Sequence, residues 1–196
     1  MKTQILKPVT AFLEILNNDP MIYTQYKRNR ILEIGSARGG SAMWFTHNLL
    51  SWHQESLLVC IDAWTAAGRG RIDYDMFRDF KRNVQSFEHF DKVRPLRADS
   101  LSGVSLLYLH YLDESSKSSI TAEGAMSRYG DEFGESIHNG YLFDIIYIDG
   151  AHTMAEVLTD GLLTIPLLRP GGYLIFDDYT CNPWLQAHAR VKEAVD

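Results

Sequence analysis

Six side chains stand where chemistry is easiest to do: Asp62, Asp99, Asp149, Asp177 and Asp178, each closing a short run of strand length, and His152, three residues beyond Asp149. Asp149 and the pair Asp177-Asp178 end two neighbouring runs, so their carboxylates can converge. Three carboxylates in one place repel unless protons or a cation neutralise them. Oxygen donors suit Mg²⁺, which keeps several waters and needs few protein ligands. Asp149, Asp177 and Asp178 are therefore the candidate metal ligands. An imidazole titrates near neutrality, which makes His152 the candidate general base beside Asp149. Capping the helix that follows Thr153, or lining a cleft, are its structural alternatives.

The second chemical feature is a glycine loop, Glu33-Ile34-Gly35-Ser36-Ala37-Arg38-Gly39-Gly40-Ser41, leaving one apolar run and entering a helix-period segment. Glycines let the backbone turn tightly and approach a ligand closely, and a helix amino terminus offers free N–H groups to a negative group. The dinucleotide fingerprint fails at its first interval, Gly35-Ser36-Ala37, and no Gly-Lys-Ser/Thr phosphate loop occurs. Asp62, at the end of the next run, can accept hydrogen bonds from both hydroxyls of a ribose. A ribose acceptor with a glycine turn but no pyrophosphate signature favours a nucleoside without phosphates.

The elements that must position these groups alternate. Strand-type runs at 30–35, 57–62, 92–98, 143–148 and 173–176 are separated by helix-period segments at 39–50, 74–90, 101–112 and 154–168. Met43, Trp44, His47 and Leu50 fall near one stripe of the first helix, and Met76, Phe77, Phe80, Val84 and Phe87 along the second. In the fourth helix, Met154, Val157, Leu158, Leu162 and Ile165 share a side. Ser100 is the expected cap of the third helix, and Arg169-Pro170-Gly171-Gly172 reads as a turn of helix breakers. A last helix is expected from about Trp184. Alternation of this kind predicts a doubly wound α/β domain: a parallel sheet in the order 3-2-1-4-5, with helices on both faces. Ligands of such sheets sit at the carboxyl ends of the strands, where all five acids lie.

With the elements in place, the ordered set of segments resembles class I AdoMet-dependent methyltransferases. Glu33-x-Gly35-x-x-x-Gly39-x-Ser41 looks like their motif I, Ile61-Asp62 their ribose-binding acid, and Ala98-Asp99-Ser100 their adenine-binding segment. Phe143 to His152 resembles motif IV, and Leu168 to Tyr179 the strand after it. The last two together are similar to small-molecule O-methyltransferases related to catechol-, macrolide- and sugar-modifying enzymes. The resemblance implies S-adenosyl-L-methionine as cofactor, contacted by Glu33, Gly35, Ser36, Gly39, Ser41, Asp62, Ala98, Asp99, Ser100 and Asp149. Gly35, Gly39 and Ser41 would line its methionine part, Asp62 its ribose, and Asp99 and Ser100 its adenine. It further implies a divalent metal that holds substrate hydroxyls, with Asp149 and His152 at the reacting end. That family normally adds an antiparallel hairpin after strand five, for which this sequence has no segment. A truncated chain, or replacement of those strands by other means such as dimerisation, is the expectation that follows.

Bulk properties narrow the partners. The 196 residues suit one domain over 30–196, preceded by a helical segment at 1–29. Residues 113–140, rich in Ser, Gly, Glu and Asp, form an excursion expected to be a lid or a mobile loop. A formal charge of −6 argues against nucleic acid as the main partner, and no stretch approaches the ~20 apolar residues of a membrane span. Cys60 and Cys181 form no Cys-x-x-Cys pair, so a reducing cytoplasm and no zinc motif are expected. A small hydroxylated molecule is the expected acceptor. Two other readings stay open: a non-catalytic nucleoside-binding or scaffold domain, and an NAD-dependent enzyme.

Overall fold

A computed structural model describes residues 28–51, 53–65, 74–116, 143–178 and 195. The expected amino-terminal helix, most of the 113–140 excursion and the helix from Trp184 lie outside the described residues. Five strands form one parallel sheet in the order β3-β2-β1-β4-β5: β1 (Arg30–Ile34), β2 (Leu57–Asp62), β3 (Val93–Arg97), β4 (Phe143–Ile148) and β5 (Leu168–Phe176). Helices α1 (Gly40–Phe45), α2 (Tyr74–Gln85), α3 (Ser100–Ser116) and α4 (Met154–Thr164) alternate with them. The doubly wound reading, with this strand order, is what the chain adopts.

Both sheet faces are covered, which explains why the central strands are apolar throughout. Alternate residues feed two cores. Ile31, Leu58, Cys60, Ile145 and Tyr147 pack with Phe45 of α1 and with Phe80 and Val84 of α2. Leu32, Ile34, Val59, Ile61, Ile146 and Ile148 pack on the opposite face with Val104 and Leu107 of α3. Burying one such aliphatic side chain stabilises the fold by roughly 1.5–3 kcal/mol. No described helix is long and apolar enough to cross a membrane.

Several local expectations are corrected. The helix after β1 is regular only to Phe45 and widens into a π-turn at Thr46–Leu50. Its buried residues are Ala42, Phe45, Thr46, Leu49 and Leu50, while His47 is exposed. The extra residue of a π-turn rotates the inward face, and the loosened carbonyls find donors: Asn29 Nδ2 to Leu49 O at 3.0 Å and Lys92 Nζ to Leu50 O at 2.5 Å. α2 stops at Gln85 rather than near residue 90. α4 buries Val157, Asp160, Gly161 and Thr164, leaving Leu158, Leu162 and Ile165 exposed. Gly161 decides this: a Cβ there would meet Phe176 Cζ at 3.1 Å, so the helix approaches the sheet on its small-residue side. Arg169 to Gly172 is no free turn but an irregular stretch of β5, taken up between the pairs Phe143↔Leu168 and Ile145↔Tyr173, with Gly171 at φ 78°. Arg169 is paired there with Asp144, whose Oδ2 accepts from Arg30 N at 2.7 Å.

Candidate functional site

The carboxyl ends of all five strands are joined by backbone bonds that continue the ladder past them. Gly35 N donates to Ile61 O at 2.8 Å, Asp149 N to Ile34 O at 2.8 Å, Asp177 N to Ile148 O at 2.9 Å, and Ala98 N to Asp62 O at 3.1 Å. Each loop therefore leaves the sheet from a fixed residue. At the switch point the loops after β1 and β4 cross in contact. A Cβ on Gly35, which sits at φ 85°, would lie 2.1 Å from Asp149 O and 2.7 Å from Gly150 Cα. Glycine is required here by close backbone approach and by its positive φ together.

The glycine loop is held from beneath by two acids. Glu33 is fully buried and accepts from Ser36 Oγ at 2.6 Å and from Ser41 Oγ. Burial pushes its carboxyl above the ordinary range, against the lowering effect of those two hydroxyls. Asp62 Oδ2 accepts from Ser36 N at 2.9 Å and Ala37 N at 2.8 Å, and Oδ1 from Trp64 N at 2.6 Å. A carboxylate has about four acceptor positions, so these bonds leave Asp62 roughly one for an outside donor. Trp64 is fully buried against Phe77 and Phe80, and its Nε1–H donates to Ala37 O at 2.7 Å. Gly39, at φ 84°, is the N-cap of α1, and a Cβ there would lie 3.1 Å from side-chain carbons of Phe80 and Val84.

At the β3 end, Asp99 rather than Ser100 caps α3: Oδ1 accepts from Ser102 N at 2.9 Å and Oδ2 from Ser102 Oγ at 2.8 Å. The backbone bond from Ser102 is the main reason its carboxyl lies below the ordinary range. Ser100 turns its hydroxyl to Asp160 of α4. Ala98 is buried beside them.

The acids after β4 and β5 do converge, with His152 among them. Asp149, His152 and Asp178 offer ligand atoms all within 4.8 Å of one another. His152 Nδ1 lies 2.9 Å from Asp178 Oδ2, and both side chains are partly exposed. Asp178 holds φ 55°, the left-handed backbone that turns its carboxylate back toward the β4 loop. Asp177 takes a different contact, accepting from Tyr147 OH at 2.8 Å. It remains close enough to matter: burial first, then the charges of Asp177 and Asp178, push the Asp149 carboxyl up to about 8. Burial, then the charges of Asp149 and Asp177, push Tyr147 upward as well. Thr153, not His152, caps α4, accepting from Glu156 N at 3.4 Å. Among the expected site residues, Asp149, His152 and Asp178 thus meet directly, Asp177 borders them, and Glu33, Ser36, Ser41 and Asp62 form a separate cluster under the glycine loop. Tyr147 and Asp160 lie outside the expected site residues: Tyr147 has a signal in its place two residues before Asp149, and Asp160 has none. Trp64, an aromatic that the sequence allows to stack on a ligand or to sit in the core, is in the core.

The fold matches solved structures. MycE methyltransferase from the mycinamycin biosynthetic pathway, in complex with Mg and SAH, aligns over 89% of this chain at 18% identity with a TM-score of 0.50. The SAH-bound Podospora anserina methyltransferase PaMTH1 aligns over 85% at 17% identity and 0.48. The chain spans 32% of the first protein and 57% of the second. No protein of curated function matches it. Residues 32–179, from β1 to just past the acids of β5, fit the model of the methyltransferase domain family, and the chain belongs to that family.

Proposed function

We propose that this chain transfers a methyl group from S-adenosyl-L-methionine to a hydroxyl of a small molecule, with Mg²⁺ assistance. The observation that carries the reading is the convergence of Asp149, His152 and Asp178 at the carboxyl edge of β4 and β5, one backbone contact from the glycine loop. Mg and SAH are bound in MycE, and both are carried to this chain as part of the proposal. The donor set fits such an ion. Asp149 is raised by burial beside two further acids, a situation that a cation at that point relieves. Asp149 and Asp178 would hold Mg²⁺ through carboxylate oxygens, the donors that ion prefers, with Asp177 beside them as a third carboxylate now bonded to Tyr147. The glycine loop fits the cofactor, with its backbone locked and one acceptor position on Asp62 left over for a ribose hydroxyl.

When bound, the cofactor supplies a methyl group on a sulfonium and the ion supplies positive charge that favours an ionised hydroxyl. The chain's own residues do the rest. Asp178 holds His152 through Nδ1, which leaves Nε2 as the atom that receives the acceptor's hydroxyl proton. Gly35 and the Glu33 and Asp62 clusters fix the loop before any ligand arrives, so positioning needs little rearrangement.

Titration calorimetry with S-adenosylhomocysteine, with and without Mg²⁺ and with NADH as comparison, tests the reading. Saturable binding of the thioether and none of NADH is expected, with Asp149→Asn and Asp178→Asn removing the Mg²⁺ dependence. A folded chain that binds no S-adenosylhomocysteine at millimolar concentration would leave the scaffold reading in its place.

A further inference from the structure

We infer that Asp160 is a positioning residue that ties the adenine side of the cofactor site to the loop carrying Asp149 and His152. The inference rests on the cofactor reading above. Asp160 lies on α4, eight residues beyond His152, and is only 3% exposed. It faces inward from the small-residue side of the helix, beside Gly161 and Thr164. Two contacts define what it does. The Ser100 hydroxyl donates to its carboxylate from the start of α3, immediately after Asp99. Its Oδ2 also fills the space at Gly150 that a side chain would take, 3.3 Å from an ideal Cβ. One carboxylate thus links the start of α3 to the space beside Gly150 in the loop after β4, two segments whose strands are separated in the sheet by β2 and β1.

A buried acid on a helix that packs through glycine and threonine has no packing advantage over an apolar residue. Leaving a carboxyl out of water is costly unless its hydrogen bonds are made. Burial pushes this carboxyl upward and the Ser100 bond works against that shift. The bond to Ser100 therefore has to persist while the domain is folded, and with it the spacing between the two loops. A ligand that reaches from Ser100 to the Asp149 end meets a span already set.

The test is calorimetric binding of S-adenosylhomocysteine to the wild-type chain, Ser100→Ala, Asp160→Ala, the double variant and Asp160→Asn, with melting temperature and amide hydrogen exchange recorded for each. Ser100→Ala is expected to weaken binding about fivefold and Asp160→Ala about tenfold, with the double variant no weaker than Asp160→Ala. Asp160→Asn keeps an acceptor for Ser100 and stays within about twofold of wild type, which a charge requirement would not allow. Exchange at 99–103 and 150–153 should rise together in either alanine variant. Should Asp160→Ala fail to fold, amide exchange at 150–153 in Ser100→Ala decides, since the loss of a ligand contact at Ser100 alone would leave that loop unchanged. Undiminished binding in Ser100→Ala, or fully multiplicative losses in the double variant, would overturn the inference while leaving the cofactor reading intact. A wild-type chain that binds no S-adenosylhomocysteine overturns both.

Discussion

Replacing Gly35 with alanine separates two effects of glycine that a second glycine in the same sheet isolates. Gly35 and Gly171 hold nearly the same backbone angle, φ 85° and φ 78°. A Cβ on Gly171 meets nothing within 4 Å, whereas on Gly35 it would lie 2.1, 2.6 and 2.7 Å from backbone atoms of Asp149 and Gly150. Gly171→Ala therefore carries only the left-handed penalty, about 1–2 kcal/mol. For a domain of this length that lowers the melting temperature by about 2–8 °C. In Gly35→Ala the neighbours cannot yield cheaply, because Asp149 N is bonded to Ile34 O and Gly35 N to Ile61 O. Relief requires the loops after β1 and β4 to part, and the loss should exceed about 4 kcal/mol, in the range reserved for core disruption. Urea unfolding of both variants, read by circular dichroism, gives the comparison directly. If Gly35→Ala unfolds within about 1 kcal/mol of Gly171→Ala, the loops do not cross in contact and the argument for a preformed switch point fails.

Other substitutions follow the same logic. Asp149 has a folded-state carboxyl at about 8 against an ordinary 3.8, so the folded chain keeps a proton that the unfolded chain has lost. Stability from this group is complete below about pH 4 and is lost as pH climbs to about 8. The full gap corresponds to about 6 kcal/mol, and water access to a partly exposed carboxyl reduces it to about 2 kcal/mol. Without divalent cations Asp149→Asn should thus melt about 5 °C above wild type at pH 9 and show little difference at pH 4; a variant that melts no higher at pH 9 contradicts the clustering of acids. Trp64→Phe keeps most of the buried ring area but removes the bond to Ala37 O. It should lower the melting temperature by about 2–4 °C and weaken S-adenosylhomocysteine binding, and unchanged binding would mean the clamp on the glycine loop is idle. Asp99→Ala removes the cap of α3. A loss of about 1 kcal/mol is expected in urea unfolding, with Asp99→Asn costing less than half of that.

The sheet was legible because its central strands are apolar on both faces, a pattern that a half-exposed strand does not produce. The acids were legible by position, since each closes a strand. Helix faces were not. In α4 the sequence offers Leu158, Leu162 and Ile165 as an inward stripe, yet Gly161 lets the sheet approach so closely that the small side wins and the leucines point outward. Spacing alone cannot weigh an apolar stripe against a close approach made possible by one glycine. For the same reason Asp160 escaped notice: a charged residue on a helix reads as solvent-facing until the packing side is known. The Arg169–Gly172 stretch misled in another way, because helix breakers that suit a turn also suit an irregular edge strand, and the choice depends on the pairing of Tyr173 with Ile145.

The candidate ligand contacts also divide by what they already hold. Glu33 accepts two serine hydroxyls, Asp62 three backbone N–H groups, and Asp99 the first turn of α3. Residue type and placement suggest direct ligand contacts for all three; in the structure each already accepts hydrogen bonds from the chain itself, which frames the loops. A frame bonded in this way loses its conformational freedom when the domain folds rather than when a ligand arrives. On the proposed reading, the remaining recognition comes from open backbone of the loop, from the last acceptor position on Asp62, and from Asp149, Asp178 and His152. Of these, Asp149, Asp178 and His152 are the ionisable groups that meet one another, so on this reading they are where a change of metal or acceptor would be felt. Substituting the frame acids should therefore lower stability and affinity together. Substituting His152 should leave both nearly unchanged and reduce turnover alone.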